Sequence, residues 1–238
     1  MLKRRYHLIL LIIVIIIACY AFVSINQMAH QDNSTAINRE LIGNDSSGSV
    51  EVIRNIGNPN GKKIAYVVGV HPLENDTHKN LLKLLPKLNN LNYSYDIYII
   101  NVSENFSGYG QLHPDDQPGR QTGQELALKY VYPQIVNGSY VLVIDVHAHG
   151  GAYGEYNTFV FCPVEGSSGE SYARNISQSS INISYYNPNH TTSGPYLTVP
   201  LNQHGIPAIY FEENSYISQN IKESHMLELI QIIDNLNF

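Results

Sequence analysis

Apolar positions along this chain fall into runs with two different periods. Residues 62–70 (KKIAYVVGV), 95–102 (YDIYIINV), 139–146 (SYVLVIDV), 158–162 (TFVFC) and 207–212 (PAIYFE) are short, rich in β-branched and aromatic residues, and bounded by turn formers. That pattern predicts buried strands. Between them the apolar residues recur at helical spacing. Leu81, Leu82, Leu84, Leu85 and Leu88 mark a helix over 76–88, with Pro86 disturbing its end. Residues 121–136 and an amphipathic 219–236 also read as helices, and 194–204 as a short one, while a Gly/Pro/Asp-rich loop spans 103–119. Strands alternating with helices predict an α/β domain whose mixed, mostly parallel sheet carries helices on both faces.

The first sixty residues have neither period. Lys3, Arg4 and Arg5 precede an apolar run from Leu8 to Val23. As a helix this run is roughly 24 Å long, slightly short of a roughly 30 Å hydrocarbon core, and Ser24 and Ile25 extend it. Basic residues before the run place the remainder of the chain outside, so residues 1–25 are expected to be a cytoplasmic basic end and a transmembrane signal anchor in the lipid bilayer. A cleaved signal peptide and a lipid-anchored Cys19 are the rival readings of the same segment. Residues 26–60, polar and rich in Asn, Ser and Gly, read as a flexible linker, leaving 61–238 as an exterior domain.

Composition narrows the function. Apolar residues make up 43% of the 238, enough for a core, whereas the net charge of −6 excludes the basic stripe of a nucleic-acid binder. Ten histidines against two cysteines turn any metal chemistry towards imidazole and carboxylate ligands. Asn-x-Ser/Thr acceptors begin at Asn33, Asn44, Asn75, Asn92, Asn101, Asn105, Asn137, Asn175, Asn182 and Asn189. Chance pairing of the chain's Asn with its Ser and Thr gives about three, and the excess suits a glycosylated exterior protein.

Three strand ends carry the chemistry. His71 and Glu74, three apart across a turn, can offer a ring nitrogen and a carboxylate to one point, as zinc requires. Alternation along the third strand puts Asp145 and His147 on one side, so His147 can join them with Asp145 behind it; His149 is the alternative ligand. Glu212 ends the last strand and can move a proton, while the neighbouring Glu213 reads as solvated or structural. The exterior domain is poor in arginine beyond the linker, and Arg120 is the candidate donor to a developing oxyanion, with a surface loop charge as the alternative. Tyr153, Tyr156 and Tyr210 are placed to shape a groove; His78, His113, His190, His204 and His225 read as ordinary polar residues. No Gly-x-Ser-x-Gly elbow supports an esterase.

His71-x-x-Glu74 at a strand end, Asp145-x-His147 at another, and the late Gly205-Ile206-Pro207-Ala208-Ile209-x-x-Glu212 together resemble the zinc carboxypeptidase superfamily, most closely its succinylglutamate desuccinylase/aspartoacylase-like branch. The resemblance runs over about residues 62–238. It implies a metallocarboxypeptidase-like α/β fold, Zn2+ held by His71, Glu74 and His147, Glu212 as general base, and hydrolysis of an amide in a peptide or an acylated amino acid. Members usually carry an Asn-Arg pair between the first and third ligand segments. Here that interval holds only Arg120, in Gly119-Arg120-Gln121-Thr122, which leaves carboxyl-terminal specificity open. A non-catalytic surface-binding or adhesion module on the same fold is the alternative function.

Overall fold

A computed structural model describes residues 39–103, 119–188 and 190–238. Its centre is the strand β3 (Lys63–Val68), flanked by β4 (Ser94–Val102) and β5 (Tyr140–His149). From Ile64 to Val68 β3 is buried on both faces, which is why that stretch is apolar throughout rather than alternating. Ile64, Tyr66 and Val68 pack into one core with Leu81 and Leu85 of α1 (Asn75–Leu84 and the 3-10 turn that follows) and with Met226, Leu229, Ile230 and Ile233 of the C-terminal helix. Ala65 and Val67 point the other way, into a second core with Leu126, Ala127, Val131 and Ile135. Those four belong to α2 (Arg120–Leu126), a π turn (Ala127–Val131) and α3 (Tyr132–Val136). Pro133 has no N–H to continue a regular ladder, and the widened turn sits just before it.

The sheet has eight strands in the order β1-β2-β4-β3-β5-β8-β6-β7. The central four, β4, β3, β5 and β8 (Ala208–Asn214), are parallel. β6 (Thr158–Phe161) joins β8 antiparallel, and the two-residue β7 (Ser184–Tyr185) closes that edge. α4 (Ser168–Gln178) is N-capped by Ser167, whose hydroxyl accepts from the Glu170 N–H while the Glu170 carboxylate accepts from the Gly166 N–H. α5 (Thr198–Gln203) precedes β8, and α6 (Gln219–Asp234) ends the fold.

The sheet is extended on its other side by an antiparallel hairpin, β1 (Arg39–Asp45) and β2 (Gly48–Gly57), which docks on β4. This corrects the expected linker over 26–60 where it overlaps the described residues: Arg39–Gly57 forms paired strands of the domain, which therefore does not start near residue 61. Two irregularities hid the hairpin, register shifts at Leu41/Gly43 and at Ile53/Ile56. The second shift breaks the period of two, so Ile53 and Ile56, three apart, serve the same core while Val50 and Val52 serve the other. The expected membrane anchor, the acceptor Asn33, and residues 104–118 including His113 lie outside the described residues. Among the described residues no helix is long and apolar enough to cross a membrane.

Connections leave β3 and β5 in opposite directions, towards β4 through α1 on one face and towards β8 on the far side. The crevice outside the carboxyl ends of such strands is the place where a parallel sheet gathers ligands.

Candidate metal centre

At that crevice the chain turns sharply. Gly69, at φ 88°, carries β3 past the Ile100 carbonyl, where a Cβ would stand 2.1 Å from the oxygen. The turn delivers His71 and Glu74, the latter at the N-cap of α1. β5 runs three residues further than its pattern suggested, to His149, so His147 is on the strand with its side chain fixed by the pleat.

The three side chains converge. His71 Nδ1 lies 2.9 Å from Glu74 Oε1, His147 Nδ1 lies 2.9 Å from Glu74 Oε2, and the two ring nitrogens are 3.0 Å apart. Four donors around zinc at roughly 2.05 Å stand about 3.3 Å from one another, so this spacing needs little adjustment to hold one ion. Behind the ligands, His147 Nε2 is 3.0 Å from Asp145 Oδ1, the Ala148 N–H donates to Glu74 Oε2, and the Gln124 amide is 3.0 Å from His71 Nε2. The donor set, two imidazoles and a carboxylate with buried partners behind them, fits a catalytic zinc site. His149 does not join it, since its Nε2 donates to the Asn157 carbonyl and its Nδ1 accepts from the Gly151 N–H.

Glu212 faces the same cleft. It is the register partner of His147 on the neighbouring strand, and burial pushes its carboxyl up to about 8, with Glu74 and Asp145 adding to the shift and His147 and Arg120 opposing it. For Glu74, burial opposes ionisation, but His71 and His147 outweigh it and hold the carboxyl well below its usual range. His147 is likewise resisted by burial and raised well above its usual value by Asp145 and Glu74. Burial lowers His71. Arg120 Nη2 donates to Glu74 Oε1 at 3.3 Å and Nη1 to Thr192 Oγ1 at 3.2 Å, bringing its guanidinium to the edge of the metal locus. The cleft, of about 190 Å³, is also lined by His149, Tyr153, Phe161, Tyr210 and Ser193. Tyr156 instead stacks on Tyr186, outside this lining.

Glu213 is not solvated. The strand turns it to the opposite face, where it is fully buried and accepts from Thr158 Oγ1 at 2.7 Å, with His225 Nδ1 at 3.1 Å. His225 is therefore a structural partner, His190 lines the cleft, and His78 is buried beneath it with Nε2 2.9 Å from the Val146 carbonyl oxygen. Gln124 and Thr192 were missed. The one signal for Gln124 was its spacing of four from Arg120, which puts both on one face of α2.

No protein-family model and no curated protein matches the sequence. Solved structures do match the fold. Tripeptide-bound Csd4, a cell-shape determinant of Helicobacter pylori, aligns at a TM-score of 0.56 and 14% identity, over 79% of this chain and 55% of Csd4. The chain has a metallocarboxypeptidase-like fold. The mDAP-bound form of the same Helicobacter pylori protein, described as a D,L-carboxypeptidase, aligns at 0.52 and 14% identity, over 74% of this chain and 50% of that one. A proposed metallopeptidase from Shewanella amazonensis SB2B aligns at 0.52 and 11% identity, over 91% of both chains. The chain thus spans about half the length of Csd4 and nearly all of the Shewanella protein.

Proposed function

We propose that this protein is a zinc-dependent hydrolase of amide bonds, acting on a short peptide or an acylated amino acid. The observation that carries the reading is the convergence of His71 Nδ1, His147 Nδ1 and the Glu74 carboxylate to within 2.9–3.0 Å, with Glu212 across the same cleft. When bound, zinc supplies Lewis acidity and brings the pKa of a water towards about 7. The residues supply the rest. Glu212 takes a proton on its carboxylate and returns it to the leaving amine. A carboxyl lining the same cleft as His71 and Glu74 suits that exchange, because it can both accept and release the proton. Arg120 supplies hydrogen-bond donors beside the carbonyl oxygen, and Phe161 and Tyr210, stacked at 4.6 Å, wall the cleft against water.

Support for a peptide substrate comes from the fold shared with a D,L-carboxypeptidase. The desuccinylase/aspartoacylase-like branch, and with it an acylated amino acid, rests on the motif spacing alone. Location outside the cell, on a membrane anchor and with N-linked glycans, is part of the same proposal. It is supported by Lys3-Arg4-Arg5 before the apolar run at 8–23 and by the surplus of acceptor sequences.

The test is metal analysis of the purified chain followed by hydrolysis of a panel of peptides and N-acyl amino acids. Zinc should bind at one equivalent in the wild type and be lost in His71→Ala. Glu212→Gln should keep the metal while kcat falls by roughly 10²–10⁴. A wild-type chain that takes up no added zinc removes the proposal.

A further inference from the structure

The two histidines at the centre are braced by different chemistry. His147 Nε2 lies 3.0 Å from a carboxylate oxygen, Asp145 Oδ1, an ion-pair contact without hydrogen-bond alignment. His71 turns Nε2 to an amide, that of Gln124, also at 3.0 Å, on a side chain only 4% exposed. An imidazole that ligates through Nδ1 keeps its proton on Nε2, and that proton requires an acceptor. We infer that Gln124 is this acceptor, a positioning residue whose amide oxygen takes the His71 Nε2 proton and holds Nδ1 towards Glu74 and His147. The inference rests on the zinc reading above.

In the structure the amide nitrogen occupies the forward place, donating to His71 Nε2 and, at 3.2 Å, to Thr192 Oγ1. Half a turn about the Gln124 Cγ–Cδ bond exchanges nitrogen for oxygen and leaves the helix where it is. The hydroxyl of Thr192 already accepts from Arg120 Nη1 at 3.2 Å. With the oxygen forward, the Thr192 and His71 protons share one acceptor, and the donors of Arg120, Thr192 and His71 along this chain each meet a lone pair. With the nitrogen forward, the Thr192 proton has no place in that chain. The oxygen-forward arrangement therefore fits the tautomer that a metal requires and also links His71 to Arg120.

Local sequence explains how a helix comes this close. Arg120 and Gln124 are one turn apart on α2, on the same face. Gly123 lies between them against the loop that carries His71, where a Cβ would stand 2.1 Å from the Val70 carbonyl oxygen. A side chain at 123 would hold the amide away from the ring.

The test is zinc affinity of the full-length chain, measured by competition with a chromophoric chelator. Gln124→Met keeps the shape and removes the acceptor; Gln124→Glu keeps an acceptor and adds charge. The dissociation constant should rise roughly 10–100-fold in Gln124→Met and stay within about threefold of wild type, or fall, in Gln124→Glu. Thermal unfolding in excess chelator checks that each variant is folded. A rise of less than about tenfold in a folded Met variant overturns the inference, as does a Glu variant weakened by more than about threefold. If Gln124→Met does not fold, the Glu variant alone decides on the same threshold. A wild-type chain that binds no zinc removes the hydrolase reading as well, whereas normal binding in Gln124→Met removes only the role given to Gln124.

Discussion

His78 stands one helical turn beyond Glu74, under the floor of the metal locus, and holds the Val146 carbonyl through Nε2. Burial pushes its pKa down to about 4 from an ordinary value of 6.5, so the folded protein keeps the ring neutral where an unfolded chain would charge it. The stability this gives is complete above pH 6.5 and is lost as pH falls through the folded value near 4, because the unfolded state binds the proton first. At 1.36 kcal/mol per pKa unit the loss between pH 7.5 and 4.5 is about 2–3 kcal/mol. Urea unfolding in excess chelator, compared between wild type and His78→Gln at those two pH values, isolates this contribution from the other titrating groups. The wild type should lose more stability than the variant by that amount. Parallel pH profiles would show that His78 is charged in the folded state and that its carbonyl contact does not set its protonation.

At the scale of elements, the site depends on how closely α2 can lie against the turn after β3. Replacing Gly123 by Ala drives a methyl group into the Val70 carbonyl, and the helix must retreat. Overpacking of this kind costs roughly 1–3 kcal/mol, seen as a lower unfolding midpoint. Zinc affinity should drop with it, because Gln124 and Arg120 retreat on the same helix; unchanged affinity in a destabilised Gly123→Ala would uncouple the helix from the site. This dependence was not legible in the sequence, since a glycine one turn into a helix looks like a mere weakness until its backbone neighbour is known. The strands β3, β4, β5 and β8 were legible because they are buried on both faces, and their polar terminal residues stood out against unbroken apolar runs. Strand alternation put Glu212 and Glu213 on opposite faces, and the family resemblance picked Glu212 as the one in the cleft. The hairpin β1–β2 was not, because its bulges break the alternation that would have revealed it. α4 carried a readable sign, Ser167 followed three residues later by Glu170, which was passed over amid its polar surroundings. Thr192 had no such sign, and Gln124 had only its spacing of four from Arg120, which gains meaning once it is known what the two face.

At the scale of the molecule, the candidate centre draws on segments far apart in the chain. His71 and Glu74 come from the turn after β3, His147 from β5, Gln124 and Arg120 from α2, Thr192 from the segment before α5, and Glu212 from β8. An ion shared by His71, Glu74 and His147 would tie the two central strand ends together in the folded state and not in the unfolded one. Free zinc at about a hundred times its dissociation constant should then add about 2.7 kcal/mol of stability. For a domain of this size the midpoint should rise by roughly 5–10 °C. Scanning calorimetry with zinc and with chelator separates the roles assigned to the two acids. Glu74→Gln should lose most of the response, since it removes a charged ligand. Glu212→Gln should keep the response in full, because its carboxylate is assigned to the proton and not to the ion. If the midpoint of Glu212→Gln no longer answers to zinc, Glu212 is a ligand, and the group that moves the proton must be sought elsewhere in the cleft.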